Sequence, residues 1–283
     1  MVRPVVTVVT GQDTSDGAGV RLKRVIGTPA LDHLDPFLLL DEFKSDRAGD
    51  YIAGFPDHPH RGFETVTYML AGSMRHRDHK GNQGDLVAGS VQWMTAGRGI
   101  IHSEMPQQKD GLMWGFQLWV NLPAKGKMIP PRYQDIPPER IPETRAGEGV
   151  RVRVVAGQSD GTRGPVEGVV TQPLYLDVSM APGARFQHPV PAGYTAFAYV
   201  YEGEAELGAS EGRAGSRLTA GTLAVLGDGD AVAAVTSTSP ARFLLLAARP
   251  LREPIARYGP FVMNTRAEIM RAVEDFQNGT FLD

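Results

Sequence analysis

Residues 58–72 read HPHRGFETVTYMLAG, and residues 188–203 read HPVPAGYTAFAYVYEG. Set side by side, they decide the fold. His58, Pro59 and Thr65 recur as His188, Pro189 and Thr195 at a constant offset of 130, and Gly72 recurs as Gly203 after one inserted residue. Both copies then run into alternating apolar residues of β-branched and aromatic type, the pattern of a strand with one buried face. A repeat of this kind predicts two copies of one β unit. In the second copy Val190 stands where the first has His60, so that copy has lost the second imidazole.

The rest of the chain carries the same signature. VTYML (66–70), LVAG (86–89), VQWM (91–94), GFQLWV (115–120), LYLDVSM (174–180), TLAVL (222–226) and ARFLLLAA (241–248) are short apolar runs ended by Gly, Pro, Asp or Asn. In VRVRVV, Val150, Val152 and Val154 share one face and Arg151 and Arg153 the other. No amphipathic helix separates these runs, which argues for antiparallel sandwiches or barrels. One helix is predicted near the end. Asn264 or Thr265 can cap it, Ile269, Ala272, Val273 and Phe276 follow helical spacing, and Gly279 sits at the C′ position. The Pro-rich, charged stretch 123–149 reads as a linker or strap between two halves. The expected division is therefore 1–122, a strap at 123–149, and 150–283 ending in the helix.

Composition narrows the chemistry. The 283 residues include 29 basic and 32 acidic side chains, a net charge of −3, so bulk electrostatics favour neither nucleic acid nor an anionic membrane. There is no cysteine, which excludes disulfides, thiolate metal sites and a Cys nucleophile. Any metal must take His, Asp or Glu ligands. No apolar stretch approaches the roughly 18 residues of a membrane span, and the N-terminus meets Gln12, Asp13 and Asp16 too early for a signal peptide. A cytoplasmic, monomeric protein is expected. No phosphate-binding glycine motif follows the first strand, and no nucleophile elbow surrounds Ser103.

Of the seven histidines, His58 and His60 stand at i, i+2 and can aim at one point from an extended chain. GRGIIHSEMP (97–106) supplies a second such pair, His102 and Glu104, after a turn made possible by Gly97 and Gly99. On adjacent strands the pairs give three imidazoles and a carboxylate, a set suited to Fe(II), Mn(II), Ni(II), Co(II), Cu(II) or Zn(II). Glu64 competes with Glu104. It lies four residues after His60, about 13 Å along a straight strand, unless Gly62 bends the chain. Spacing leaves both carboxylates open. His76 and His79 read as solvated turn residues, while His33 and His188 lack a partner at ligand spacing. Arg61 and Arg98 flank the ligand pairs and point away from the metal face. Phe55, Trp93, Met94, Phe116 and Trp119 are pocket-wall or core candidates.

GFPDHPHRGFETVTYMLAGSMRHRD, GDLVAGSVQWMTAGRGIIHSEMP and EPIARYGPFVMNTRAEIMRAVEDFQNGTF closely resemble the pirin family of the cupin superfamily. The resemblance covers essentially the whole chain. It implies an all-β bicupin: two antiparallel, jelly-roll-type barrels in tandem with a short C-terminal helix, the N-terminal barrel metal-binding and the C-terminal one without ligands. The resemblance implies His58, His60, His102 and Glu104 as ligands, against Glu64, and iron as the usual metal. It also implies quercetin 2,3-dioxygenase-like activity, opening a flavonol ring with O2 and releasing CO, with Glu104 accepting the 3-hydroxyl proton. The alternative is a non-enzymatic, metal-dependent regulator that binds a transcription factor or metabolic enzyme. Neither reading involves direct nucleic-acid binding or a membrane.

Overall fold

A computed structural model describes residues 1–210 and 212–282. The chain forms two compact units, and neither is a continuous segment. One comprises Asp13–Thr28, Asp32–Pro138 and the chain from Leu251 onward. The other comprises Met1–Gln12, Pro29–Leu31 and Glu139–Pro250.

The first unit is built on two antiparallel sheets. A seven-stranded sheet runs in the order Arg132–Ile136, Val91–Thr95, Phe63–Ala71, Met113–Asn121, Phe37–Ser45, Val20–Ile26, Gln12–Asp16. A four-stranded sheet runs Phe55–His60, Ile100–Pro106, Ser73–Asp78, Gln83–Val87. Both sheets feed one apolar core: Val20, Leu22, Phe43, Met69 and Met113 come from the larger, Met74 and Leu86 from the smaller. That is the face-to-face packing that period-2 alternation demands of a half-buried sheet. The second unit is dominated by a ten-stranded sheet in which Leu174–Met180, Thr195–Leu207 and Ala241–Ala248 are central. Its core includes Val152, Leu176, Ala198, Leu226, Phe243 and Leu245. The repeat read from the sequence falls on matching strands: Phe63–Ala71 in one unit and Thr195–Leu207 in the other.

Three boundaries differ from the expected ones. Val5–Thr10 pairs with Thr222–Leu226 and belongs to the second unit. The 123–149 stretch is divided between the units. Arg132–Ile136 pairs with Val91–Thr95 and Glu143–Arg145 pairs with Val150–Ala156, and these ladders supply partners for its backbone polar groups. The C-terminal helix, Arg266–Gln277, belongs to the first unit, not to the end of the second. Thr265 caps it through a reciprocal box with Glu268: the Thr265 hydroxyl accepts from the Glu268 backbone at 3.2 Å, and the Glu268 carboxylate accepts from Thr265 N at 2.8 Å. Ile269 and Ala272 are buried with Phe261, Met263 and Phe281.

The C-terminal segment is fastened beside the HPH motif. Arg61 is buried, donates to Asp275 Oδ2 at 2.6 Å and to the Phe281 carbonyl at 3.0 Å, and also donates to the Arg98 carbonyl. It points away from the histidines, as its odd offset from His60 requires, but is a buried staple and not a surface group. Lys127 adds a second lock, its Nζ donating to Gly62 O at 2.8 Å, Asn121 Oδ1 at 2.7 Å and Val262 O at 2.9 Å. Burial pushes its ammonium down to about 8.

Gly62 makes this approach sterically feasible. Its φ is +91°, and a Cβ there would stand 2.0 Å from Val262 O. Gly62→Ala is therefore expected to lower unfolding free energy by roughly 2 kcal/mol or more. Urea denaturation followed by tryptophan fluorescence measures it, and an unchanged midpoint contradicts the docking.

Candidate metal centre

The Phe55–His60 and Ile100–Pro106 strands pair antiparallel, with His58 opposite His102 and His60 opposite Ile100. A register shift between His102 and Glu104 then sets Glu104 opposite Phe55. The result is a triangle of imidazoles with ring centroids 4.4 Å apart for His58–His102, 4.7 Å for His58–His60 and 5.1 Å for His60–His102. One ligand nitrogen from each lies within 4.8 Å of the others.

Their protonation suits metal binding. His60 and His102 are buried, and burial, aided by the neighbouring imidazoles, holds both pKa values well below the ordinary histidine value. Both are neutral at physiological pH, the form that ligates. His60 Nδ1 and both nitrogens of His102 are buried without a hydrogen-bond partner. Orphaned nitrogens of this kind are costly unless something satisfies them, and a metal ion would do so. His58 Nδ1 lies 2.8 Å from the Pro56 carbonyl. A carbonyl only accepts, so that nitrogen carries the proton and Nε2 keeps the lone pair.

Glu104 is also buried, accepting from Thr67 Oγ1 at 2.9 Å and from Gln117 Nε2 at 3.4 Å. Thr67 and Gln117 are a directly opposed cross-strand pair, their side chains 2.6 Å apart. Glu64 lies three residues before Thr67 on the same strand and so on the opposite face. It accepts from Thr95 at 2.6 Å, and burial raises its pKa.

The remaining histidines are dispersed. His76 is not a solvated turn residue: it is buried on Ser73–Asp78, 3.2 Å from Asp135 and stacked on Tyr133. Alternation of Met74, His76 and Asp78 against Arg75 and Arg77 in MRHRD was the signal for that strand. His79 is exposed. His33 is exposed beside Asp32, and His188, in the other unit, meets the Gln158 carbonyl at 3.2 Å.

His58, His60 and Glu104 line a cavity of about 550 Å³. Leu22, Leu39, Phe43, Phe55, Met74 and Trp119 form its apolar walls, and Arg24, Asp41, Thr67, Gln117 and Arg257 contribute polar groups. Trp93, Met94 and Phe116 are core residues instead. Arg24 grips both Asp41 oxygens, at 2.9 and 2.7 Å, and reaches Asp16 at 2.8 Å. Burial nevertheless pushes Asp41 up to about 6. Thr67, Gln117, Arg24 and Arg257 were not singled out from the sequence. They are far apart along the chain: strand pairing brings Thr67, Gln117 and Arg24 into one sheet, and the C-terminal segment brings Arg257 to the same cavity.

Comparison with known proteins agrees with this architecture. The Pirin family model matches residues 19–120, and the Pirin C-terminal cupin domain matches residues 175–282. A pirin-like protein of Caulobacter vibrioides is 51% identical over 99% of both chains. Pirin of Homo sapiens is 46% identical over 95% of this chain and 91% of its own. The crystal structure of quercetin 2,3-dioxygenase from Acinetobacter baumannii superposes with a TM-score of 0.90 at 34% identity, covering 99% of both chains. No helix among the described residues is long and apolar enough to cross a membrane.

The buried imidazoles set a pH dependence for the metal-free protein. Their folded pKa values lie below the unfolded value of about 6.5. The unfolded chain therefore binds more protons below that pH, and stability falls as pH falls, by up to about 1.4 kcal/mol per pH unit for each histidine. Asp41 acts oppositely, since its folded pKa is raised, but only below about 6. The urea midpoint is expected to drop between pH 7 and pH 6, with a shallower slope in His102→Gln. A flat profile contradicts the burial argument.

Proposed function

The chain belongs to the pirin family, and on that footing we propose that it is a metal-dependent oxygenase acting on flavonols, with quercetin 2,3-dioxygenase-like activity and Fe(II) as its native metal. The observation that carries this is the convergence of three imidazoles, two of them buried and neutral with unpartnered nitrogens, beside an apolar cavity. His58, His60 and His102 would hold the ion, with Glu104 as a fourth ligand. These donors fit a first-row divalent metal: neutral nitrogens with one carboxylate suit iron, manganese, nickel, cobalt, copper or zinc. When bound, the metal supplies a Lewis-acidic, redox-capable centre for the flavonol oxygens and dioxygen.

The protein's own residues account for the rest. A cavity of about 550 Å³ lies in the range that buries most of a drug-sized ligand. Phe55, Phe43 and Trp119 offer aromatic surface to a planar substrate and exclude water from its ring. Glu104 accepts the proton of the 3-hydroxyl, and Thr67 and Gln117 hold its carboxylate in place while it does so. The overall change takes up one O2, opens the flavonol ring and releases one ring carbon as carbon monoxide.

Purified protein loaded with Fe(II) and mixed with quercetin in air is expected to bleach the visible flavonol band and release carbon monoxide. Persistence of the band without carbon monoxide removes the activity. His58→Ala is expected to lose stoichiometric metal by elemental analysis, and full retention contradicts the ligand assignment. Glu104→Gln is expected to lower kcat by about a hundredfold or more, measured by flavonol loss at saturating substrate. A near-normal rate excludes Glu104 as the proton acceptor.

A further inference from the structure

The cavity beside the histidine cluster contains a cation for which that chemistry has no use. Arg257 lines it from the Ala256–Tyr258 strand, its guanidinium standing 4.8 Å over the Trp119 ring. The same indole meets His60 edge-on at 5.3 Å, so one aromatic ring links the cation to the cluster. Arg257 Nη1 donates to the Leu38 carbonyl at 3.2 Å. Among the described residues it forms no ion pair, whereas Arg24 in the same cavity is paired with Asp41 and Asp16. A guanidinium has five N–H donors, and most of those on Arg257 remain uncommitted. Arg257 is solvent-exposed on its strand; partial desolvation and the like charge of Arg24 disfavour its ionised form, while Asp32, Asp41 and Asp16 act across space to favour it.

We propose that Arg257 is the anion receptor of this cavity: the substrate is a planar aromatic molecule bearing an anionic oxygen group of carboxylate geometry at the end that meets Arg257. The planar fork of a guanidinium matches such a group with paired, charge-assisted hydrogen bonds. Trp119 holds the fork in place by cation–π contact, which reduces the entropy lost on binding. This rests on the reading of the cavity as the substrate site, but it does not require the substrate to be quercetin itself.

The test uses 2-naphthoate and 2-naphthamide, a matched pair of planar ligands differing in charge. Both are titrated calorimetrically against the protein, metal-loaded and after chelation. Naphthoate is expected to bind about tenfold more tightly than the amide in both states. Arg257→Gln is expected to bring the two affinities within about twofold, and Arg257→Lys to keep part of the preference, which a merely structural role would not do. Equal affinities in the wild type, no saturable naphthoate binding, or a preference that survives Arg257→Gln each overturn the proposal. Survival of the preference only in the metal-loaded protein assigns it to the metal instead. Absence of quercetin turnover with the preference intact removes the flavonol reading and leaves the anion receptor standing.

Discussion

The antiparallel register that sets His58 opposite His102 is the constraint from which the site follows. A slip of one residue in Ile100–Pro106 would turn His102 and Glu104 together to the face away from His58 and His60. That register is held from both sides. Ile100–Pro106 pairs with Ser73–Asp78 on its other edge, and beyond His60 the chain turns at Gly62 into the Phe63–Ala71 strand of the larger sheet. The C-terminal segment reinforces the turn, through Arg61 to Asp275 and through Lys127 to Gly62 and Val262. The stretch YGPFVMNT, remote in sequence from HPHRG, is thus part of the same structural unit.

Burying this much polarity costs stability. Two imidazoles with unpartnered nitrogens and a carboxylate held by a threonine and a glutamine are a poor core. Such groups persist where the surrounding packing is strong enough to hold them. Here Phe63 and Trp119 pack against His60, and the core of Val20, Leu22, Phe43 and Met69 is contributed by strands that also carry the cavity walls. A ligand that binds only the folded cluster stabilises the protein by mass action, so site and fold are thermodynamically linked.

Much of this was legible in the sequence, for identifiable reasons. The alternation in ETVTYMLAG and YTAFAYVYEG gave the β class and the tandem plan because side-chain period is a local property. The i, i+2 spacing of His58/His60 and His102/Glu104 was legible for the same reason. What was not legible depended on long-range pairing. Nothing local in RYQDI says that it joins Val91–Thr95, and nothing in VVTVVT says that it joins Thr222–Leu226. His76 looked solvated because its neighbours are charged, yet alternation sends Arg75 and Arg77 outward and His76 inward. Thr67 carried no signal of its own; it matters because strand register places Gln117 opposite it and Glu104 within hydrogen-bond reach.

The central proposal is that the cluster of His58, His60 and His102, with Glu104 as a fourth ligand, would hold a single metal ion. X-ray absorption at the metal edge, on protein purified without added metal, tests it most directly. The account predicts one ion per chain, with scattering from three imidazole rings and an additional oxygen shell that changes in Glu104→Gln. Scattering from fewer than three imidazoles, or an oxygen shell indifferent to Glu104→Gln, would contradict it.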